Sequence, residues 1–171
     1  AILNEKIDLN FITSASRATA TFGGHTNMNG NNGTTLVLTN TDGSTVTFTT
    51  NNSKNENQSD ADEIGTSGID TAAKATQAFH VAFTAAISAG TLKMTLTPTS
   101  YTNETEITLT QDGVGTAGNT TITNPPNMYV QGSLLGPPAG STKAFTGATD
   151  ETYNRNKKTG FSELLLSTTG S

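Results

Sequence analysis

Polar and apolar residues alternate over much of this chain, and a helical period interrupts the alternation once. Ile7, Leu9 and Phe11 alternate with Asp8 and Asn10. That period of two belongs to extended backbone, so residues 1–23 are expected to form an N-terminal arm or edge strand. Residues 24–33 hold two Asn-Gly pairs and little apolar side chain, which predicts a turn-rich surface loop. Thr34–Asn40 and Ser44–Thr50 then flank Thr41-Asp42-Gly43 as the two halves of a hairpin over 34–50. Leu36 and Leu38 match Val46 and Phe48 on one face, and the other face is mostly threonine. Residues 51–68 are Asn, Ser, Asp, Glu and Gly almost throughout and read as a long exposed linker.

The helical period follows. From Asp70, an N-cap type, Ala72, Ala75, Phe79, Ala82, Phe83, Ala86 and Ile87 recur at spacings of three and four, and Gly90 stands where a terminating glycine belongs. This predicts a helix over 70–89 with a small-residue stripe that can lie close to a sheet. Alternation returns at 92–97, 106–111 and 120–124, predicting three more strands. Pro125-Pro126 and Gly136-Pro137-Pro138 then block ladders and helices, so 125–171 reads as a C-terminal arm ending in the apolar cluster Phe161, Leu164, Leu165 and Leu166. The expected fold is α+β: a mainly antiparallel sheet in β-β-α-β-β-β order over 24–124, covered by one helix, with extended arms at both ends.

Composition sharpens this picture. The 171 residues include 35 Thr, 17 Asn and 17 Gly, with 13 % charged residues and a net charge of −5. Leu, Ile, Val and Phe total 32, a thin apolar supply for a chain of this length. So low a net charge argues against a polyelectrolyte-like disordered chain, and the β-branched residues suit pleated surfaces. With only nine Lys and Arg, scattered except at Arg155, Lys157 and Lys158, no nucleic-acid groove is expected. No apolar run approaches a bilayer span, and Ala1-Ile2-Leu3-Asn4-Glu5-Lys6 lacks a signal-peptide layout, so no membrane partner is expected. Zero cysteine excludes disulfides and thiolate chemistry.

Candidate chemistry is sparse. Gly113-Val114-Gly115-Thr116-Ala117-Gly118 spells the dinucleotide fingerprint, but strand residues and prolines follow where a helix must open, so a glycine-rich turn is expected. Asp60, Asp62 and Glu63 are a weak Ca²⁺ candidate, because one flexible loop supplies several carboxylate oxygens without an EF-hand spacing. His25 and His80 would make an acid–base or metal pair only by converging. No Gly-x-Ser-x-Gly elbow occurs, and Glu104 with Glu106 is too little for a glycosidase. The chain is therefore expected to be no enzyme and to carry no cofactor.

Several segments carry a resemblance, in their order along the chain. They are Leu36–Phe48 with its Thr41-Asp42-Gly43 turn, Ile69-Asp70-Thr71-Ala72-Ala73, Ile107-Thr108-Leu109-Thr110-Gln111, Asn119–Thr123 and Phe145-Thr146-Gly147-Ala148. Together they resemble virion structural proteins of tailed bacteriophages, of the aquatic and cyanophage type. The resemblance implies a class: a capsid decoration or cement protein in many copies or as a homo-oligomer, partnered by other virion proteins such as the major capsid protein. Its nearest variant is a tail or fibre protein. A secreted adhesin or glycan-binding module at the cell surface is the alternative, weakened by the absence of Trp. The docking residues expected from the apolar ends are Ile2, Leu3, Ile7, Leu9, Phe11, Phe161, Leu164, Leu165 and Leu166.

Overall fold

The computed structural model describes residues 10–123, 128–130, 133–135 and 143–154, with side chains over 13–123 and 143–152. Among the described residues, two larger sheets, two two-stranded ladders and one α-helix make up an α+β fold. The strands are β1 Asn10–Thr13, β2 Thr19–Gly24, β3 Thr35–Thr39, β4 Thr45–Asn55 and β5 Glu63–Ser67. The helix α1 spans Ala72–Ser88. After it come β6 Met94–Thr97, β7 Ile107–Gln111, β8 Thr121–Ile122, β9 Met128–Val130, β10 Ser133–Leu135, β11 Lys143–Ala144 and β12 Thr152–Asn154. A five-stranded antiparallel sheet runs in the order β10-β9-β2-β7-β6. A second sheet, β3-β4-β5, combines an antiparallel hairpin with a parallel pair.

Backbone pairing links the two. β8 pairs with β11, Thr123 bridges Val37, and Thr146 bridges Thr19, so a line of bonded neighbours runs from β6 through β7 and β2 to β8, β3, β4 and β5. The helix connects β5 to β6 and lies against β2, β5 and β6. One helix thereby covers the apolar faces of both sheets.

The hairpin forms as its pattern requires, with Leu36 opposite Phe48 and Leu38 opposite Val46, and Gly43 at φ +83° in the turn. The helix starts one residue later than expected: the Thr71 side chain, not that of Asp70, accepts from the Lys74 amide. Asp70 instead pairs with Lys74 one turn on, at 2.9 Å. At the other end Gly90 takes φ +74°, and the Ala86 carbonyl accepts from the Thr91 and Leu92 amides.

Four sequence expectations change. Residues 19–23, placed in the N-terminal arm, form most of β2 in the middle of the larger sheet, with Ala18, Ala20 and Phe22 buried beneath an outer face of Thr19 and Thr21. Residues 24–33 do form a turn-rich loop, but it pins a fully buried Met28 into the core. The expected linker 51–68 is largely β4 and β5, with Ile64 and Thr66 buried. Their parallel pairing through the short connection 56–62 escapes a sequence reading, because parallel strands usually need a much longer crossover. Residues 143–150, assigned to the C-terminal arm, close the core: Phe145 is fully buried and Ala148 nearly so.

Ring contacts define the centre of that core. Phe83 of α1 meets Phe22 of β2 and Phe48 of β4, each with centroids 5.2 Å apart and edge-to-face, and stacks on Phe79 at 5.8 Å. Polar pins surround it. Asn40, fully buried, donates to the Ser44 hydroxyl and the Thr91 carbonyl and accepts from the Lys93 amide. Gln111, also fully buried, donates to the Thr39 carbonyl and the Thr120 hydroxyl and accepts from Thr41. Because the Asn40 and Gln111 side-chain amides are both paired, their hydrogen bonds offset the cost of burying them.

Candidate functional site

The acidic loop shows what local folding does with its carboxylates. Extension of β4 to Asn55 carries Lys54 over the return of the chain into β5. The Lys54 ammonium bridges Asp60, at 2.5 Å, and Glu63. The other Asp60 oxygen accepts from the Glu63 amide at 3.0 Å and the Asp62 amide at 3.3 Å. The Glu63 side chain also accepts from Asn51. The position a Ca²⁺ ion would take between Asp60 and Glu63 is thus filled by the chain's own cation, while the Asp62 side chain pairs with Asp60 and its carbonyl accepts from the Thr49 amide. Among the described residues no group of three or more acidic or His side chains is arranged to hold a metal ion. Lys54 is the partner that sequence spacing missed, because its segment was read as loop and not as a strand aimed at residue 60.

The charges respond accordingly. Burial pushes the Asp60 carboxyl up, but Lys54 and the hydrogen bonds from Asp62 outweigh it and hold the group down at about 2. Hydrogen bonds from Lys54 and Asn51 lower Glu63, and the Asp60 carboxyl raises Asp62. Lys54 itself is raised by its two partners. A carboxyl with a depressed folded-state pKa stabilises above its unfolded value and loses that contribution as pH falls through the folded one. Stability is therefore expected to drop as pH falls from about 4.5 through about 2, the span from the ordinary Glu63 value to the held Asp60 value. A Lys54→Met chain should show a shallower decline over that window, read by urea denaturation at a series of pH values; an unchanged slope would dismiss the triad as a source of acid sensitivity.

The glycine-rich loop 113–118 is closed from within. Gly113 lies so near Thr41 that a Cβ there would stand 2.5 Å from the Thr41 methyl. Gly115 takes φ +92° and leads into a single turn over Thr116–Gly118. The Asp150 carboxylate accepts from the Thr116 amide at 2.7 Å and its hydroxyl at 2.8 Å, which lowers the Asp150 pKa. No dinucleotide helix follows, as the strand residues after it require, and the loop's donors serve to anchor the segment 143–150.

The two histidines serve separate local structures. His25 Nδ1 accepts from the Asn27 amide and caps the turn 26–28. His80, buried on α1, places Nε2 3.0 Å from the Pro98 carbonyl and its ring 5.6 Å from that of Tyr101. The Tyr101 hydroxyl lies 2.5 Å from the Ala73 carbonyl and 2.8 Å from that of Glu104, and burial raises its pKa to about 12. Glu104 caps Thr102 through both its amide and its hydroxyl, so it is engaged apart from Glu106.

What the fold brings together is the two ends of the described chain. β1 and β12 pair antiparallel, with Asn10 opposite Asn154 and Thr13 opposite Thr152, whose hydroxyls touch. Ser16 adds a second tie, donating to the Gly147 carbonyl and accepting from the Thr149 amide. Residues 1–9 and 155–171 therefore depart from opposite strands of one ladder. The expected docking residues Ile2, Leu3, Ile7, Leu9, Phe161, Leu164, Leu165 and Leu166, and the side chain of Phe11, lie outside the described residues; the Phe11 backbone sits opposite Tyr153. Nothing in residue types announced that ladder, since β12 is a short polar strand.

Where β2, β7 and β6 pair, the outer face of the larger sheet is threonine. Thr97, Thr108 and Thr21 form one cross-strand row and Thr95, Thr110 and Thr19 another. Among the described residues no helix is long and apolar enough to cross a membrane. Comparison with known proteins finds no matching family model, no matching curated protein and no matching solved structure.

Proposed function

We propose that this chain is a non-catalytic structural subunit of a virion, a capsid decoration or cement protein that ties shell subunits together through its terminal segments. The observation that carries this reading is the β1–β12 ladder, which pairs Asn10 with Asn154, the positions from which the sequence continues into the two terminal segments bearing the apolar residues. The resemblance of the segments between 34 and 148 to phage virion proteins supplies the class. Buried Leu, Ile or Phe side chains contribute roughly 1.5–3 kcal/mol each, and the eight on residues 1–9 and 155–171 supply the apolar surface such an attachment draws on, set against the entropy cost of association. Copies held side by side gain further from multivalency.

The test is binding to shells stripped of this chain. Full-length protein is expected to rebind, and protein lacking 1–9 and 155–171 to bind at least about a hundredfold more weakly, the equivalent of roughly 2.7 kcal/mol. Equal binding by the shortened chain would refute the reading.

A further inference from the structure

The loop 24–33 holds both Asn-Gly pairs of the chain, Asn29-Gly30 and Asn32-Gly33. Glycine has no Cβ to shield its amide nitrogen, so in open backbone that nitrogen can attack the side-chain carbonyl carbon of the preceding asparagine. The new bond from nitrogen to Cγ expels Nδ2 as ammonia, which carries off the glycine amide proton, and a five-membered succinimide remains. Water then opens the ring at either carbonyl, giving aspartate or isoaspartate. Both products carry a new carboxylate, and isoaspartate routes the backbone through an added methylene.

The fold withholds both reacting groups at each pair. The Gly30 amide donates to the Thr66 carbonyl of β5 at 3.0 Å, and Asn29 Oδ1 accepts from the Gly68 amide at 3.1 Å. The Gly33 amide donates to the Thr50 carbonyl of β4 at 2.8 Å, and Asn32 Oδ1 accepts from the Asn52 amide at 3.3 Å. A ψ of 125° at Asn29 also turns the Gly30 nitrogen away from the side chain it would attack. Between the pairs the Thr66 hydroxyl donates to the Asn31 carbonyl at 2.5 Å, and the fully buried Met28 plugs the loop into the core. All four residues of the two pairs are exposed, so docking of the loop, and not burial, is what restrains them.

We propose that Asn29 and Asn32 are deamidation sites held closed by the docked loop: lifting of 26–33 from β4 and β5, with the rest of the domain intact, opens them, and conversion keeps the loop from docking again. Local opening of a surface loop costs less than global unfolding, and here it frees both glycine amides together. After conversion the longer isoaspartyl backbone carries those amides off the Thr50 and Thr66 carbonyls. Loop opening is thereby recorded in covalent form, whatever assembly the chain belongs to.

Incubation of the full chain in mildly alkaline buffer, followed by mass spectrometry of its peptides, provides the test. Conversion at both asparagines is expected to be at least about tenfold slower in the folded protein than in urea that unfolds it. Below the unfolding transition the rate should stay flat with urea, because a small local opening exposes little surface, whereas a route through global unfolding would climb steeply. Thr66→Val, which removes the hydroxyl bond to Asn31, should speed conversion several-fold, and Ile122→Val, a core change in β8, should not. In converted chains the Gly30 and Gly33 amides should exchange with solvent unprotected. The proposal is overturned if the folded and unfolded rates agree, if the rate climbs with urea below the transition, if Thr66→Val has no effect or Ile122→Val an equal one, or if both amides stay protected after conversion.

Discussion

Replacement of Phe83 by alanine is expected to cost about 3–5 kcal/mol, the range for emptying a buried aromatic site. Phe83 is fully buried and touches a ring from each sheet, Phe22 and Phe48, as well as Phe79 on its own helix. Edge-to-face contacts are worth about 0.5–1.5 kcal/mol beyond area burial, so the loss should lie toward the upper end. Domains are stable by only about 5–15 kcal/mol in total, and this one has few large apolar residues to share the load. Urea denaturation monitored by circular dichroism measures the effect. Val114→Ala, at the exposed tip of the glycine-rich loop, should change little. A Phe83→Ala loss under 1 kcal/mol would mean that the two sheets do not depend on the helix for their union.

Gly24→Ala is expected to be comparably severe, for the opposite reason. Gly24 ends β2 where α1 crosses it, and a Cβ there would stand 2.1 Å from the Ala75 Cβ and 2.4 Å from the Ala75 carbonyl carbon. The obstacle is helix backbone, which cannot swing aside as a long side chain could. The displacement would also break the bond from the Gly24 amide to the Thr76 hydroxyl, 3.0 Å, which itself reaches the Thr105 carbonyl. Overpacking typically costs about 1–3 kcal/mol and sometimes more; with the helix obliged to move, about 3 kcal/mol is expected. Adding Ala75→Gly should restore only part, because the Ala75 carbonyl carbon remains too close. Full rescue by that second change would show that only the two methyl groups compete. Gly68→Ala makes a useful contrast: its Cβ meets open space, and only its φ of +72° opposes the change.

Local chemistry was the legible part of this fold. The Leu36, Leu38, Val46, Phe48 set and the Thr41-Asp42-Gly43 turn specify a register that neighbouring residues alone can satisfy. The 3.6-residue period and Gly90 specify the helix in the same way. The threonine face of the sheets also follows from alternation. What stayed hidden depended on partners distant in sequence. Ala18, Ala20 and Phe22 carry too little side chain to announce a central strand until β7 and β9 flank them. Lys54 reads as a solvated charge until the parallel return of β5 brings Asp60 and Glu63 to it. Phe145, beyond a run of glycines and prolines, enters the core because β11 pairs with β8, Thr146 bridges Thr19, Asp150 fastens the segment behind it to Thr116 and the Asn119 side chain pairs with the Ala148 backbone.

The candidate site divides along the same line. The amino-acid sequence alone determined an α+β chain poor in apolar residues and in charge, with one helix, a threonine-faced hairpin and apolar termini, because each of these depends on residue type and short-range period. Tertiary structure decided which carboxylates face a cation, which glycine carries a crossing helix and that β1 meets β12, because those outcomes require groups distant in sequence to arrive in one place. The β1–β12 ladder is of that second kind, and the proposed shell contact depends on it.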